Sequence, residues 1–258
     1  LVDALVAAGF AAAVIEPIAS YSLACEGVFM LYHPDSGDLL SLNGQGTAPG
    51  RATIDFYKSQ GLDTIPTGPG RQAHLSFTVP GVVDAYMALL ERYGTKTLGE
   101  VMEPSIHYAE RGVPYYEYLV KALDSPATVE QFDNYPPGGM DVFYNNRELP
   151  APGSLLVQNG LAGTMKAMVA AETAAAGHRL TGLRAARDSF YKGEIARTIV
   201  ESSRSVGGLL ELEDLAQYSA RFEKPVSTTY KGHQILCQPS STQAPVLLQA
   251  LNILESFD

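Results

Sequence analysis

The stretch V-G-G-L-L-E-L-E-D-L-A-Q-Y-S-A-R-F-E-K-P-V-S-T-T-Y-K-G-H-Q-I-L-C-Q-P-S-S-T-Q-A-P-V-L-L-Q-A-L-N-I-L-E-S-F-D fills residues 206–258. Gly207-Gly208 stops one helix, because glycine reaches positive φ without a Cβ clash, and the carboxylates of Glu211, Glu213 and Asp214 favour the positive end of the next, predicted over 211–219. Pro225 interrupts it. Val226–Tyr230 is β-branched and aromatic, Lys231-Gly232 turns the chain, and His233–Cys237 returns, so a hairpin is predicted. Beyond Gln238-Pro239-Ser240-Ser241, the residues Val246, Leu247, Ala250, Leu251 and Leu254 recur at helical spacing and give a helix with a wide apolar face. That face needs a partner from elsewhere.

The order of these words resembles the large subunit of the gamma-glutamyltransferase family of N-terminal-nucleophile hydrolases. The resemblance rests on Gly207-Gly208-Leu209-Leu210, Asp214-Leu215, Tyr218, Thr229-Tyr230, Gly232, Pro239-Ser240-Ser241, Gln249 and Leu251-Asn252-Ile253-Leu254-Glu255. Further family phrases stand upstream: Val79-Pro80-Gly81 with Val83, Arg92-Tyr93-Gly94-Thr95, Tyr108-Ala109-Glu110 with Gly112, and Phe190-Tyr191-Lys192-Gly193-Glu194-Ile195-Ala196. The fold it implies is α+β, the large-subunit half of a four-layer αββα sandwich. Residues 1–258 are then one domain of a self-cleaved heterodimer, expected to be incomplete at both ends.

Composition agrees with a core-forming class. The 258 residues are 46% apolar, enough for a large core, and the formal charge of −10 opposes a phosphate-backbone partner, which needs clustered cations. Leu1–Ile18 is the longest apolar segment; Asp3 and Glu16 within it argue for a buried helix over a membrane span. Cys25 and Cys237 form neither a disulfide framework nor a metal spacing. The compartment, cytoplasmic or periplasmic or secreted, is left open, since any targeting segment would lie outside the sequence.

Outward from the decisive stretch, Leu1–Ile15 is predicted helical and ends at Glu16-Pro17. Val28–His33 and Asp38–Leu42 are predicted strands around the turn Pro34-Asp35-Ser36-Gly37. A short helix at 52–60, a Pro/Gly loop at 61–70 that could cap a pocket, a strand at 74–78 and a helix from Val79-Pro80-Gly81 through Tyr93 follow. A loop-rich excursion is expected at 124–153, then one helix over 155–177, and another opening at Phe190 and running to Ser205.

The candidate site is the loop Asn43-Gly44-Gln45-Gly46-Thr47-Ala48-Pro49-Gly50. As a phosphate loop it fails, because Pro49 stands where the helix would begin and no lysine follows. In γ-glutamyl-transferring members this loop reads R-E-T-A-P, its arginine pairing with the α-carboxylate of the donor; alignment on Thr47-Ala48-Pro49 puts Gln45 at the arginine and Gly46 at the glutamate. A neutral amide cannot make that charge-assisted bidentate pair, a loss of roughly 1.5–3 kcal/mol. The resemblance therefore points to the amidohydrolase or acylase-like branch, with Gln45 and Gly46 as substrate-binding positions.

Other chemistry finds little support. The nucleophile elbow G-x-S-x-G is absent, the five histidines are scattered, and His107 with Glu110 at i, i+3 lacks the second such pair a bundle metal site needs. Cys25 lacks a histidine partner, and the adjacent Glu26 carboxylate opposes a thiolate. By resemblance the nucleophile is the N-terminal threonine of a small subunit from the same precursor, its own α-amine serving as base. No catalytic residue, metal or cofactor is then expected in this chain, and its partners are that small subunit and a small-molecule amide. Two rivals stand beside this amide hydrolase: a true transpeptidase and glutathione hydrolase that holds its donor with another cation such as Arg51, and an inactive member that binds a ligand.

Overall fold

The computed structural model describes residues 1–18, 21–34, 36–66, 68, 70–135 and 138–257. Asp35 of the predicted turn, Ser20 before the first strand, Thr67 and Pro69 of the Pro/Gly loop, and Pro136-Pro137 of the expected excursion lie outside the described residues.

In chain order the elements are α1 (Val2–Ile15), β1 (Gly27–His33), β2 (Asp38–Gly44), α2 (Ile54–Ser59), a 3-10 turn (Ala73–Ser76), α3 (Val82–Tyr93), α4 (Leu98–Arg111), β3 (Val113–Pro114), α5 (Glu117–Leu123), α6 (Pro126–Asn134) and α7 (Gly139–Phe143). They continue with β4 (Leu155–Leu156), α8 (Asn159–Ala174), α9 (Arg179–Tyr191), α10 (Glu194–Ser205), α11 (Leu212–Gln217), β5 (Arg221–Glu223), β6 (Val226–Tyr230), β7 (His233–Cys237) and α12 (Ala244–Leu254). The class is α+β, helices outweighing strands.

One antiparallel sheet, ordered β1-β2-β5, positions the candidate loop. Val28 faces Asn43, which faces Arg221, and Phe29 faces Leu42, which faces Phe222. Directly opposed residues share a face and neighbours alternate, so the sheet has two unlike sides. The side carrying Phe29, Leu42 and Phe222 packs on α3, where Phe29 meets Tyr86 at 5.8 Å and Phe222 meets Tyr93 at 6.3 Å between ring centroids. Behind it, α1 packs on α3 and α4, α4 on α8, α8 on α9, and α9 on α3 and α10. Val28, Met30 and Tyr32 on the other side are exposed.

Helix ends follow local chemistry. α4 starts in a reciprocal capping box between Thr97 and Glu100, and its next two amides, Leu98 and Gly99, donate at 2.6 and 2.8 Å to the Glu172 carboxylate from α8. α1 ends at Glu16 as its Glu-Pro signal requires, but only one of its sides is core: Val6, Phe10, Ala13 and Val14 are buried while Leu5 and Ile15 are exposed.

Several expectations are corrected. Residues 74–78 form no strand: the Leu75 amide donates to the Gln72 carbonyl at 3.0 Å in a 3-10 turn, and the Leu75 carbonyl accepts from the Tyr57 hydroxyl at 2.7 Å, with no strand beside it among the described residues. The 124–153 excursion contains α6, begun by Pro126 in the first turn where its missing N–H costs nothing, and α7. The helix expected from Leu155 begins at Asn159, because Leu155-Leu156 pairs with Val113-Pro114 instead. The segment expected to open one helix at Phe190 breaks at Lys192-Gly193, where a Cβ on Gly193 would crowd the Ser189 carbonyl at 2.5 Å. Strand β2 runs to Gly44, two residues further than expected. The hairpin β6-β7 and α12 fall where their patterns put them.

Candidate functional site

Strand β2 delivers the loop. Its last residue, Gly44, faces Gly27 across the sheet, and a side chain at Gly44 would meet the Gly27 carbonyl at 2.7 Å and Ala85 Cβ at 2.6 Å. Beyond it the main chain of 45–50 is tied at successive points. Asn43 Oδ1 accepts from the Gln45 amide at 3.0 Å, and the Tyr218 hydroxyl donates to the Gln45 carbonyl at 2.9 Å. The Val79 amide donates to the Thr47 carbonyl at 3.0 Å, and the Gly50 amide donates to Asp214 Oδ1 at 2.8 Å. A Cβ on Gly46 would overlap the Val79 carbonyl, so a residue without one is required there. All these ties engage backbone of the loop. The half-buried Gln45 side chain makes no hydrogen bond among the described residues.

The groups that hold the loop are themselves held. Asp214 Oδ2 accepts from the Glu211 amide at 2.9 Å in the box that starts α11, so one carboxylate caps a helix and fixes Gly50. The Tyr218 ring stacks on Tyr191 at 5.8 Å, and the Tyr191 hydroxyl donates to the Pro80 carbonyl at 2.7 Å while accepting from the Asp84 amide at 3.0 Å. Asp84 is buried; its Oδ1 pairs with Arg187 Nε and its Oδ2 accepts from the Ala220 amide at 2.6 Å. Arg187 Nη2 then donates to the Tyr218 carbonyl at 2.5 Å, and its guanidinium lies 5.1 Å from the Tyr191 ring centre. The result is an ion pair between α3 and α9 that fixes the segment 218–220 from both ends. Burial, then the Asp84 charge, raises both phenols far above the ordinary tyrosine range. For Tyr218 the Arg221 guanidinium works against that rise and the Glu26 carboxylate with it. Tyr218 is therefore a neutral hydrogen-bond donor at any physiological pH.

The remaining candidates separate from this loop or are engaged. Arg51 lies 3.8 Å from Glu211, which also takes Arg204 at 3.5 Å. Cys25 is half-buried and free, accepting from Ser22 Oγ at 3.2 Å, and its carbonyl accepts from the Gly81 and Val82 amides at 3.0 Å each, capping α3. His107 is exposed on α4, and Glu110 pairs with Lys166. No group of three or more His, Cys, Asp or Glu among the described residues could hold a metal ion, and no helix among them is long and apolar enough to cross a membrane.

Sequence reasoning picked out Gln45 and Gly46, which lie in the loop that follows β2. It did not find Asp84 or Arg187. A signal for Asp84 was present, a lone carboxylate in the run V-V-D-A-Y-M-A-L-L, where a buried charge demands a partner. Nothing in the linear sequence named Arg187 as that partner, 103 positions away. Tyr218 and Asp214 were read as letters of a pattern; their spacing is that of two groups gripping opposite ends of one loop.

The gamma-glutamyltranspeptidase family profile matches residues 1–258. The chain is 32% identical to the glutathione hydrolase proenzyme of Escherichia coli (strain K12) over 259 residues, which covers all of this chain and 41% of that protein. To the acylase ACY 1 proenzyme of Pseudomonas sp. (strain SE83) it is 30% identical over 263 residues, all of this chain and 44% of that protein. Among solved structures, cephalosporin acylase from Bacillus halodurans aligns with a TM-score of 0.85 at 29% identity, over all of this chain and 45% of that one. The chain thus spans less than half the length of the curated relatives it matches. With the whole of its length matched and its α+β fold shared, it belongs to the gamma-glutamyltranspeptidase family.

Proposed function

We propose that this chain is the large-subunit portion of an amide-bond hydrolase made as a proenzyme, with its nucleophile, an N-terminal threonine, on a small subunit cut from the same precursor. The threonine hydroxyl attacks the amide carbonyl while the threonine α-amine takes its proton. The amine then leaves with that proton, and water cleaves the acyl ester to release the acid. The large subunit supplies a substrate wall at Gln45 and Gly46 and its share of a four-layer αββα sandwich. The names of the relatives, glutathione hydrolase and acylase proenzymes, support the reaction class. The open sheet face at Val28, Met30 and Tyr32 and the exposed Val246, Leu247, Ile253 and Leu254 of α12 suit a covering chain.

The observation that carries the substrate reading is the loop itself, clamped through its main chain, with a neutral amide at Gln45 that makes no hydrogen bond among the described residues. An amide there favours hydrolysis of acyl amides other than γ-glutamyl ones. In the transpeptidase reading Arg51, which lies 3.8 Å from Glu211, would take the donor's carboxylate. Intact-mass analysis with N-terminal sequencing of the purified protein tests the two-chain part: a second chain beginning with threonine is expected, and its absence sinks the proposal. Gln45→Ala is expected to change KM across an amide panel with little effect on chain cleavage; identical KM values would remove Gln45 from the site.

A further inference from the structure

Between α1, α3 and the segment leading into β1 lies a cleft of about 190 Å³, lined by Gly9 and Ala13 of α1, Val82 and Tyr86 of α3, and Cys25 and Phe29. The Tyr86 ring is fixed between Phe10 at 4.9 Å and Phe29 at 5.8 Å, and its hydroxyl lies against Gly9, where a Cβ would overlap it. Glycine in the middle of a helix is unfavourable relative to alanine, and here it is what leaves room for the hydroxyl. Tyr86 is only 7% exposed, yet that hydroxyl has no hydrogen-bond partner among the described residues. A buried phenol ordinarily has one, and leaving it without costs free energy. The other hydroxyl near the cleft is engaged: Ser22 Oγ donates to Cys25 Sγ at 3.2 Å and accepts from the Ala24 amide at 3.1 Å.

The lining selects its ligand. Burial, then the charges that Cys25 and Tyr21 carry when ionised, push the Tyr86 phenol up to about 12, so it offers a neutral O–H donor. No lysine, arginine or histidine lines the cleft among the described residues, and its one charged residue, the exposed Glu26, opposes a carboxylate. An apolar cavity of about 150 Å³ admits benzene, so this one has room for such a ring and one polar group. We propose that the cleft is a binding site for a small uncharged carbonyl compound, whose oxygen accepts from the Tyr86 hydroxyl and whose apolar part lies against Ala13, Phe29 and Val82. An occupant there steadies the start of α3. The Cys25 carbonyl caps that helix by accepting from the Gly81 and Val82 amides at 3.0 Å each, and Gly81 stands against the Gly44 carbonyl and the Tyr218 hydroxyl that holds the Gln45 carbonyl. The site depends on these groups and is independent of the amide-hydrolase reading.

Cys25 reports occupancy directly. In the full-length protein, acetophenone is expected to slow alkylation of Cys25 by iodoacetamide in a saturable way while leaving the buried Cys237 unaffected, read by peptide mass spectrometry. Tyr86→Phe removes only the hydroxyl and should weaken acetophenone binding about fivefold, the loss of one neutral hydrogen bond; Ser22→Ala should leave it within about twofold, as followed by ligand-observed NMR. Benzoate and benzylamine, which match acetophenone in ring size but carry opposite charges, should bind more weakly. Bound acetophenone should also slow hydrogen exchange of the 45–50 amides. Absence of saturable protection, equal affinity in Tyr86→Phe, or tighter binding of either charged probe would overturn the site as assigned. Unchanged exchange at 45–50 with the cleft occupied would overturn its coupling to the loop.

Discussion

Tyr218 shows how much a single atom can be asked to do. Its hydroxyl is the tie to the Gln45 carbonyl, while its ring is held independently by the Tyr191 stack. Tyr218→Phe therefore removes one neutral hydrogen bond, about 0.5–1.5 kcal/mol, without emptying the core. Faster hydrogen exchange of the 45–50 amides is expected with a nearly unchanged melting temperature, and unchanged exchange would show that the other ties suffice. Arg187→Ala is a different case. It leaves the buried Asp84 carboxylate without its cation, and breaking such a pair from one side costs about 3–5 kcal/mol, which urea denaturation would register. Lysine at 187 should not restore the wild-type value, since one ammonium cannot reach Asp84 and the Tyr218 carbonyl as the guanidinium fork does.

Elements are joined by similar devices. Asp3 at the start of α1 accepts from the Thr95 amide at 2.9 Å, the Thr95 hydroxyl at 2.8 Å and the Lys96 amide at 3.1 Å, fastening α1 to the connection between α3 and α4. Burial alone would raise its pKa, but the bonds from Lys96 and Thr95 outweigh that and the net shift is downward. A depressed carboxylate stabilises the fold above its unfolded value, about 3.9, and the contribution disappears as pH falls through the folded value. The stability gap between wild type and Asp3→Asn should accordingly narrow as pH falls from 5 toward 2 in denaturant titrations, and a constant gap would rule out this linkage. Where β2 meets the N-terminus of α3 the constraint is steric. A Cβ on Gly81 would overlap the Gly44 carbonyl and stand 2.6 Å from the Tyr218 hydroxyl. Because the obstacle is backbone and cannot rotate away, Gly81→Ala should cost about 1–3 kcal/mol and loosen the Gln45 loop as well, measurable in the same exchange experiment.

At the scale of the whole molecule, the helices on one side of the sheet form a continuous core, whereas the other side of the sheet and α12 keep large apolar side chains in solvent. If a second chain covers them, as proposed, a charge placed there should act on association more than on this chain's own packing. Ile253→Asp, at a residue 63% exposed, is expected to lower the urea concentration at which the two chains separate. Coincident separation curves for mutant and wild type would move the interface elsewhere.

Much of this was written locally. The hairpins β1-β2 and β6-β7, the stop at Gly207-Gly208, the end of α1 at Glu16-Pro17 and the apolar stripe of α12 depend on neighbours within a few positions, where periodicity and turn chemistry act directly. The position of Gln45 and Gly46 in a loop after a strand was legible for the same reason. The strand expected at 74–78 failed because a strand needs a partner, and none of the local residues reveals whether one is present. What only tertiary structure decided are the meetings across long separations: Asp84 with Arg187, Tyr218 with Gln45, and Glu172 with the start of α4. Each depends on which faces the packed helices and the three-stranded register bring together, and a charge or a hydroxyl acquires its role only from the group that packing sets against it.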